Sequence, residues 1–544
     1  MDGRPLKGTA ASWLLTRTAA PLRSSPKSCS THPPKAEAAT AELFRCRFQG
    51  MVDAMGELLR RTSVSTNVKE RLDYSCALLD ANGHLLVNAP HIPVHLGALG
   101  ECVRRTTALI PPSPGDMLVT NDPAFGGSHL PDVTVICPVF GPSGQLLAYT
   151  ANRAHHAEIG GITPGSMPAY AKNLAEEGVV IAPAWLVKNN ISQEENIAHL
   201  LTTAPHPTRC LPDNLADLRA QAAAAHHGAT ALLSFCQTHG ESVIRQRLGE
   251  LTRQAREALA RTLTCTTLTE ATATTALDDG TLITVRVTKS NDRLSVDFTG
   301  SGGVHSGNRN ATPAVVRSAV LYVLRLWTAE PIPLNEGFLA NVDIVLPPGF
   351  LNPPFAADPA NSPAVVGGNV ETSQRIVEVL IAALGLQAAS QGTMNNVIFG
   401  DASFGHYETV CGGTGAGPGY PGTDAIHSHM TNTAITDIEI LERRYPVRIG
   451  EFSIRPDSGG AGQFPGGRGT IRTYQFLAPL TLSLLTEHRT TPPPGHAGGQ
   501  PAACGEQFLT LPDGTRLDLP STVSLRVDPG TTLHLHTPGG GGWG

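Results

Sequence analysis

Residues Gly115 to Pro168 read GDMLVTNDPAFGGSHLPDVTVICPVFGPSGQLLAYTANRAHHAEIGGITPGSMP. This stretch of 54 residues holds three histidines, four acids and eight glycines. Apolar runs alternate with polar turns. Met117–Thr120, Val133–Phe140 and Gln145–Ala151 read as strands. The last two form an antiparallel hairpin around the turn GPSG. With Phe140 opposite Gln145, counting outward places Leu130 near His155 and His129 near His156. His129, Asp132 and the pair His155/His156 are therefore expected to meet at the open end of the hairpin.

Imidazole nitrogen and carboxylate oxygen suit Mn, Fe or Zn, and two or three protein ligands leave a position open for water or substrate. The competing reading is that these histidines only cap and hydrogen-bond a loop. Their clustering beside Gly126, Gly127, Gly160 and Gly161 favours the metal.

The rest of the chain bounds the function. Its 544 residues, 41% apolar, suffice for several domains or one large multi-sheet unit. The 40 basic and 46 acidic residues nearly balance. No basic stripe with interleaved aromatics occurs, so nucleic acid is not an expected partner. No apolar run reaches the ~18 residues of a membrane span, and no G-x-x-x-x-G-K-[ST] phosphate loop is present. The ten cysteines are scattered without a C-x-x-C, which fits a reducing, cytoplasmic setting. The 56 glycines and 43 prolines, spread without a period, suggest many turns in a sheet-rich fold.

Taken in order, residues 1–40 are rich in Arg, Ser, Thr and Pro, with Asp2 and Glu37 the only acids. They read as a disordered extension, either a transit peptide for organellar import or a non-native start. Ala41–Arg61 is an amphipathic helix. Tyr74–Leu79 and Leu85–Val87 form a hairpin around Asn82-Gly83, and Leu96–Leu109 is a helix. Leu211–Phe235 is an Ala-rich helix. Glu241–Leu263 carries Ile244, Leu248, Leu251, Ala255, Leu259 and Leu263 on one stripe. Strands Leu282–Val287 and Leu294–Phe298 flank Ser290-Asn291-Asp292. The fold expected is mixed α and β, antiparallel-sheet-rich and multi-lobed, with an N-terminal lobe over residues 41–270 and a C-terminal lobe over 271–544.

Further along, Asn369–Leu384 reads as a helix opened by GGNVETSQR. Such a start either binds an anion through free amides or is a tight packing turn. GGTGAGPG, from Gly412, lacks the strand-to-helix setting of a dinucleotide fingerprint and is a weak nucleotide signal.

The runs NDPAFGGSHLPDVTVICPVF and RAHHAEIGGITPGSMP, with STNVKERLDYSCAL, HIPVHLG, NLAEEGVVIAPAWLVKNN, HSHMTNT and the closing HTPGGGGWG, resemble the hydantoinase B/oxoprolinase family. The likeness runs from about Glu42 to Gly544 and falls on the carboxy-terminal half of the family's 5-oxoprolinases. The resemblance implies a subunit for ATP-dependent opening of a small-molecule cyclic amide, 5-oxo-L-proline first, to L-glutamate. A hydantoinase A-like, kinase-like half would activate the lactam carbonyl with ATP, and this half would complete the ring opening. An oligomer is expected. N-methylhydantoin hydrolysis, a ketone carboxylase subunit, and a non-catalytic scaffold remain the alternatives.

The resemblance also assigns residues. His129 and Asp132 match an H-x-x-D metal element that holds manganese in related acetone carboxylases. The later ligand aligns with His155, counting back from Ile159-Gly160-Gly161, whereas the hairpin count puts His156 opposite His129. A one-residue bulge reconciles the two in favour of His155. Asp122 and Glu158 are the candidate bases, or else bond loop amides. His91, His95, His156, His427, His429 and Asn432 are the candidate substrate contacts.

Overall fold

A computed structural model describes residues 35–88 and 92–544. The stretch quoted above sits at the centre of a seven-stranded sheet. Its strands are β1 (Tyr74–Asp80), β2 (Leu85–Asn88), β3 (Met117–Thr120), β4 (Asp132–Phe140), β5 (Leu146–His155), β6 (Ala184–Lys188) and β7 (Ile191–Ser192). They lie in the order β2-β1-β5-β4-β3-β6-β7, every pair antiparallel.

Both faces of this sheet are covered. Helices Lys35–Thr62 and Leu211–His239 pack on one, joining Phe48, Met55, Leu218 and Leu232 to Val133 and Val135. Helix Leu96–Leu109 packs on the other through Leu99 and Val103 against Ala77, Leu79 and Ile136. Burial on both sides explains why Val133–Phe140 is a continuous apolar run rather than an alternating one. The Ala-rich character of helix Leu211–His239 serves close approach: a Cβ on Gly228 would lie 2.3 Å from the Met55 sulfur.

Three expectations are corrected. The first helix starts at Lys35 rather than Ala41; the remainder of the 1–40 extension lies outside the described residues. The β4–β5 register pairs Asp132 with His155, because a bulge at Val139/Phe140 and a turn closing Gly141 onto Gln145 shift the count. His129 therefore does not face His156. The helix read as Asn369–Leu384 begins at Ser373, preceded by a π-helical turn over Gly368–Thr372.

Helix Glu241–Cys265 buries all six stripe residues but serves two cores. Ile244, Leu248 and Leu251 join the first; Ala255, Leu259 and Leu263 join a second. That second core lies under β8 (Glu270–Ala276), β9 (Leu282–Ser290), β10 (Arg293–Asp297) and β11 (Val342–Val345), with helices Pro313–Thr328 and Ser373–Leu384. Among the described strands, β10 and β11 make the one parallel pair. A third core, around Phe399, Tyr474, Phe476 and Leu533, lies between two further sheets. One joins β12 (Asn396–Gly400) and β13 (Gly405–Thr409) to β16 (Leu480–Leu485) and β19 (Thr522–Val527). The other joins β14 (Val447–Ile454), β15 (Thr470–Phe476), β17 (Glu506–Thr510), β18 (Arg516–Asp518) and β20 (Thr532–His536).

The glycine-rich segments are packing devices. Gly412–Gly417, Gly459–Gly469 and Gly539–Gly544 lie backbone against backbone. Gly540 N–H donates to Gly467 O at 2.9 Å, Gly467 N–H to Thr414 O at 2.9 Å, and Ala416 N–H to Gly541 O at 2.9 Å. A Cβ on Gly540 would sit 2.0 Å from Thr414 O, a rigid backbone atom. Gly540→Ala is expected to destabilise the chain by more than about 3 kcal/mol, the upper end for overpacking. Thermal unfolding checks this; a melting temperature within a degree of wild type contradicts it.

Candidate metal and active site

The loop that carries His129 follows β3 and is held from several sides. Asn121 Nδ2 donates to Leu130 O at 2.8 Å and to Val179 O at 2.9 Å, and Asn121 Oδ1 accepts from Ile181 N–H at 2.6 Å. Gly126 has φ +85°, and a Cβ there would lie 2.5 Å from Cys102 N, so only glycine lets the loop press onto helix Leu96–Leu109. Buried Arg153, on β5, donates to Gly126 O at 3.0 Å and to Ser128 Oγ at 3.3 Å.

Asp132 opens β4 and is the hub of the site. Its Oδ2 accepts from Ser128 Oγ at 2.5 Å and lies 3.1 Å from His95 Nε2. Its Oδ1 makes no hydrogen bond, yet lies 3.3 Å from His129 Nε2 and 3.4 Å from His155 Nδ1. One oxygen is thus anchored and the other is left between two imidazoles. The Asp73 carboxylate adds a further oxygen 3.8 Å from His155 Nδ1. All these side chains are buried. Burial pushes the Asp132 carboxyl up, but His129 and His95 outweigh it and hold it well below the usual range. Burial pushes the His155 imidazole down, only partly offset by Asp73 and Asp132. An ionised carboxylate beside a neutral imidazole is the protonation state that a divalent cation needs. The candidate ligand atoms of His129, Asp132 and His155 lie within 4.8 Å of one another, a spacing one ion can bridge. On the chemistry and spacing of these donors the residues fit a divalent metal.

The walls come from remote parts of the chain. Ile92, Val94, His95, Asn369, Val370, Met394, Tyr407, Met430, Thr431 and Thr433 line a small cavity with Asp73, Asp132 and His155. Asn369 Nδ2 lies 3.1 Å from His129 Nε2, delivered by the π-helical turn. A Cβ on Gly368 would fall 1.9 Å from Asn310 O, so its glycine serves close packing of that turn. The Tyr407 ring stacks on His155 at 4.9 Å, and its hydroxyl donates to Asn396 Oδ1 at 2.9 Å.

The other residues singled out from the sequence fall elsewhere. His156 points away from Asp132, 3.0 Å from Gln221 Oε1 and 3.1 Å from Asn214 Nδ2. Asp122 caps a short turn by accepting from Ala124 N–H at 2.8 Å; burial pushes its carboxyl up. Glu158 accepts from Gly160 N–H at 2.7 Å, Gly165 N–H at 2.9 Å and Arg209 at 2.9 Å. Burial raises it against the pull of Arg209, and it lines a different cavity with Ser65, Asn214 and Arg444. Both acids bond loop amides. The walls take Met430, Thr431 and Thr433 from the HSHMTNT segment, while His427, His429 and Asn432 are not among the lining residues. Burial holds His427 and His429 down at about 4. His91 lies outside the described residues.

Sequence reading missed Asp73, Tyr407 and the Asn369–His129 contact. Glu177, in the EEG element, is a tie between segments: its Oε1 accepts from Val365 N–H at 2.9 Å and Val366 N–H at 2.8 Å. Burial pushes its carboxyl to about 8, against those two bonds. That lies above its ordinary value of 4.5, so the folded chain keeps a proton that the unfolded chain loses. Its contribution to stability is complete below about pH 4.5 and lost as pH rises through about 8. The wild-type melting temperature is expected to fall across that window, and Glu177→Gln to flatten the profile. An equally steep profile in the variant contradicts this.

The family model described as Hydantoinase B/oxoprolinase matches residues 37–544, and the chain belongs to this family. 5-Oxoprolinase 1 of Arabidopsis thaliana is 43% identical over 94% of this chain and 42% of its own length. The 5-oxoprolinase of Saccharomyces cerevisiae is 42% identical over 92% of this chain and 41% of its own length. The chain thus spans about two fifths of the length of these curated relatives. Among solved structures, the ATP-dependent caprolactamase of Pseudomonas jessenii superposes with a TM-score of 0.84 at 27% identity, covering 95% of this chain and 92% of that one. Among the described residues no helix is long and apolar enough to cross a membrane.

Proposed function

We propose that this chain is the ring-opening part of an ATP-dependent cyclic amide hydrolase acting on 5-oxo-L-proline, and that a separate ATP-using half activates the lactam carbonyl. The observation that carries the reading is the Asp132 hub. One carboxylate oxygen is fixed by Ser128 and His95, and the other is presented to His129 and His155 in a buried cavity. Relatives named 5-oxoprolinase at 42–43% identity supply the substrate class.

A lactam carbonyl is a poor electrophile, and opening it needs activation and a stabilised oxygen. His129, Asp132 and His155 would hold a divalent ion, Mn, Zn or Fe by donor type. Such an ion supplies Lewis acidity to an oxygen ligand. The remaining roles belong to the chain. His95, Ser128 and Arg153 fix the orientation of Asp132; Asn369 fixes His129; Tyr407 supports the His155 ring by stacking; the apolar walls Ile92, Val94 and Met394 restrict water. Asp122 and Glu158 keep the loops on either side in place.

The substrate is tested by supplying the ATP-using half and comparing 5-oxo-L-proline with N-methylhydantoin. Preferential glutamate release from 5-oxo-L-proline supports the reading. Preferential use of N-methylhydantoin would reassign the substrate within the same reaction class.

A further inference from the structure

Arg71 is a buried cation whose hydrogen-bonding capacity is only partly used within the chain. Its side chain is fully buried, and neither Nε nor Nη1 makes a hydrogen bond. Nη1 stands 3.5 Å from Asp73 Oδ2, beyond a good ionic hydrogen bond. Nη2 makes only long contacts, 3.3 Å to Thr409 Oγ1 and 3.4 Å to Thr433 Oγ1. The guanidinium lies over the Tyr407 ring, 4.5 Å from its centroid. Three of these neighbours, Asp73, Thr433 and Tyr407, line the cavity at the candidate metal site.

A buried guanidinium with unmet donors is costly unless something accepts from it. Asp73 alone does not meet this need, since its carboxylate also faces His155 Nδ1 at 3.8 Å. The guanidinium fork matches a carboxylate with two parallel hydrogen bonds. Its position is fixed from both sides: the phenol ring of Tyr407 supports its plane, and Ala434 N–H donates to Arg71 O at 2.8 Å. That bond ties Arg71 to the segment that carries Thr431 and Thr433.

We propose that Arg71 is the docking group for the carboxylate of the substrate, holding it through Nε and Nη1 while the lactam carbonyl lies toward His129, Asp132 and His155. The inference rests on the proposed function, in that it takes a cyclic amide as the ligand. It adds a specificity element: this site selects a lactam that carries a carboxylate next to the ring nitrogen over a neutral lactam of the same size. Thr433, which shares Nη2 with Thr409, positions the fork rather than the ligand.

The test is binding to the metal-loaded chain, followed by calorimetry, with three probes: 5-oxo-L-proline, its neutral carboxamide and 2-pyrrolidinone. Losing an ionic hydrogen-bond pair is worth about 10- to 100-fold in affinity. The wild type is expected to bind 5-oxo-L-proline tighter than either neutral lactam by that factor. Arg71→Met is expected to erase the preference while its affinity for 2-pyrrolidinone stays the same. Arg71→Lys keeps the charge but loses the fork, and is expected to retain the fold and metal content and to lose most of the preference. The comparison of probes on wild-type protein needs no variant, so a misfolded Arg71→Met leaves the test intact. Equal binding of 5-oxo-L-proline and its carboxamide to wild type overturns the role of Arg71 and leaves the cyclic amide reading standing. Binding of none of the three probes overturns both.

Discussion

His129→Ala is expected to lose nearly all bound metal and to lower ring-opening turnover in the reconstituted system by at least about a thousandfold. Removing a supporting partner of a ligand already costs about 10- to 100-fold in affinity or activity, and His129 offers a ligand atom itself. The variant should stay folded, because the side chain lies in a loop held by Asn121, Arg153 and two close-packed glycines. Asp132→Ala should lose the metal as completely. His95→Ala, which leaves Asp132 Oδ2 with Ser128 as its remaining partner and removes no candidate ligand, should fall in the range of about 10- to 100-fold. His155 and His156 separate the two registers. His155→Ala should lose the metal; His156→Ala should keep it and lose stability, because it breaks bonds to Gln221 and Asn214. Elemental analysis of purified variants decides. Unchanged metal in both His129→Ala and Asp132→Ala contradicts the site, and metal loss in His156→Ala alone contradicts the register.

How much of this was legible in the sequence follows from the range of the interactions. The hairpin could be read because its apolar runs are bounded by Gly and Pro turns that punctuate the chain locally. Its register missed by two residues, one from the turn that closes Gly141 onto Gln145 and one from the bulge at Val139/Phe140, and neither leaves a mark in composition. The stripe of helix Glu241–Cys265 was plain, but its division between two cores was not, since periodicity reports burial and not the neighbour. His129 and Asp132, three residues apart, could be read from spacing. Asn369 reaches His129 across 240 residues, and Tyr407 reaches His155 from β13. No local pattern signals either contact. The glycine-rich segments carried an ambiguous signal: phosphate loops and close backbone packing both exclude Cβ atoms. Contacts such as Gly540 to Thr414 O decide for packing.

The most direct test of a reaction divided between two halves is glutamate release from 5-oxo-L-proline by the purified, metal-loaded chain, first alone with ATP and then with the ATP-using half added. The five-membered lactam is stable, and the chain contains no G-x-x-x-x-G-K-[ST] phosphate loop. The curated 5-oxoprolinases extend well beyond the two fifths of their length that this chain matches. No turnover is therefore expected from the chain alone. With the second half present, ATP-dependent release should appear and should vanish in His129→Ala. Robust turnover by the chain alone would contradict the division of labour between the halves, and no turnover with any compatible half would contradict a catalytic role for this chain.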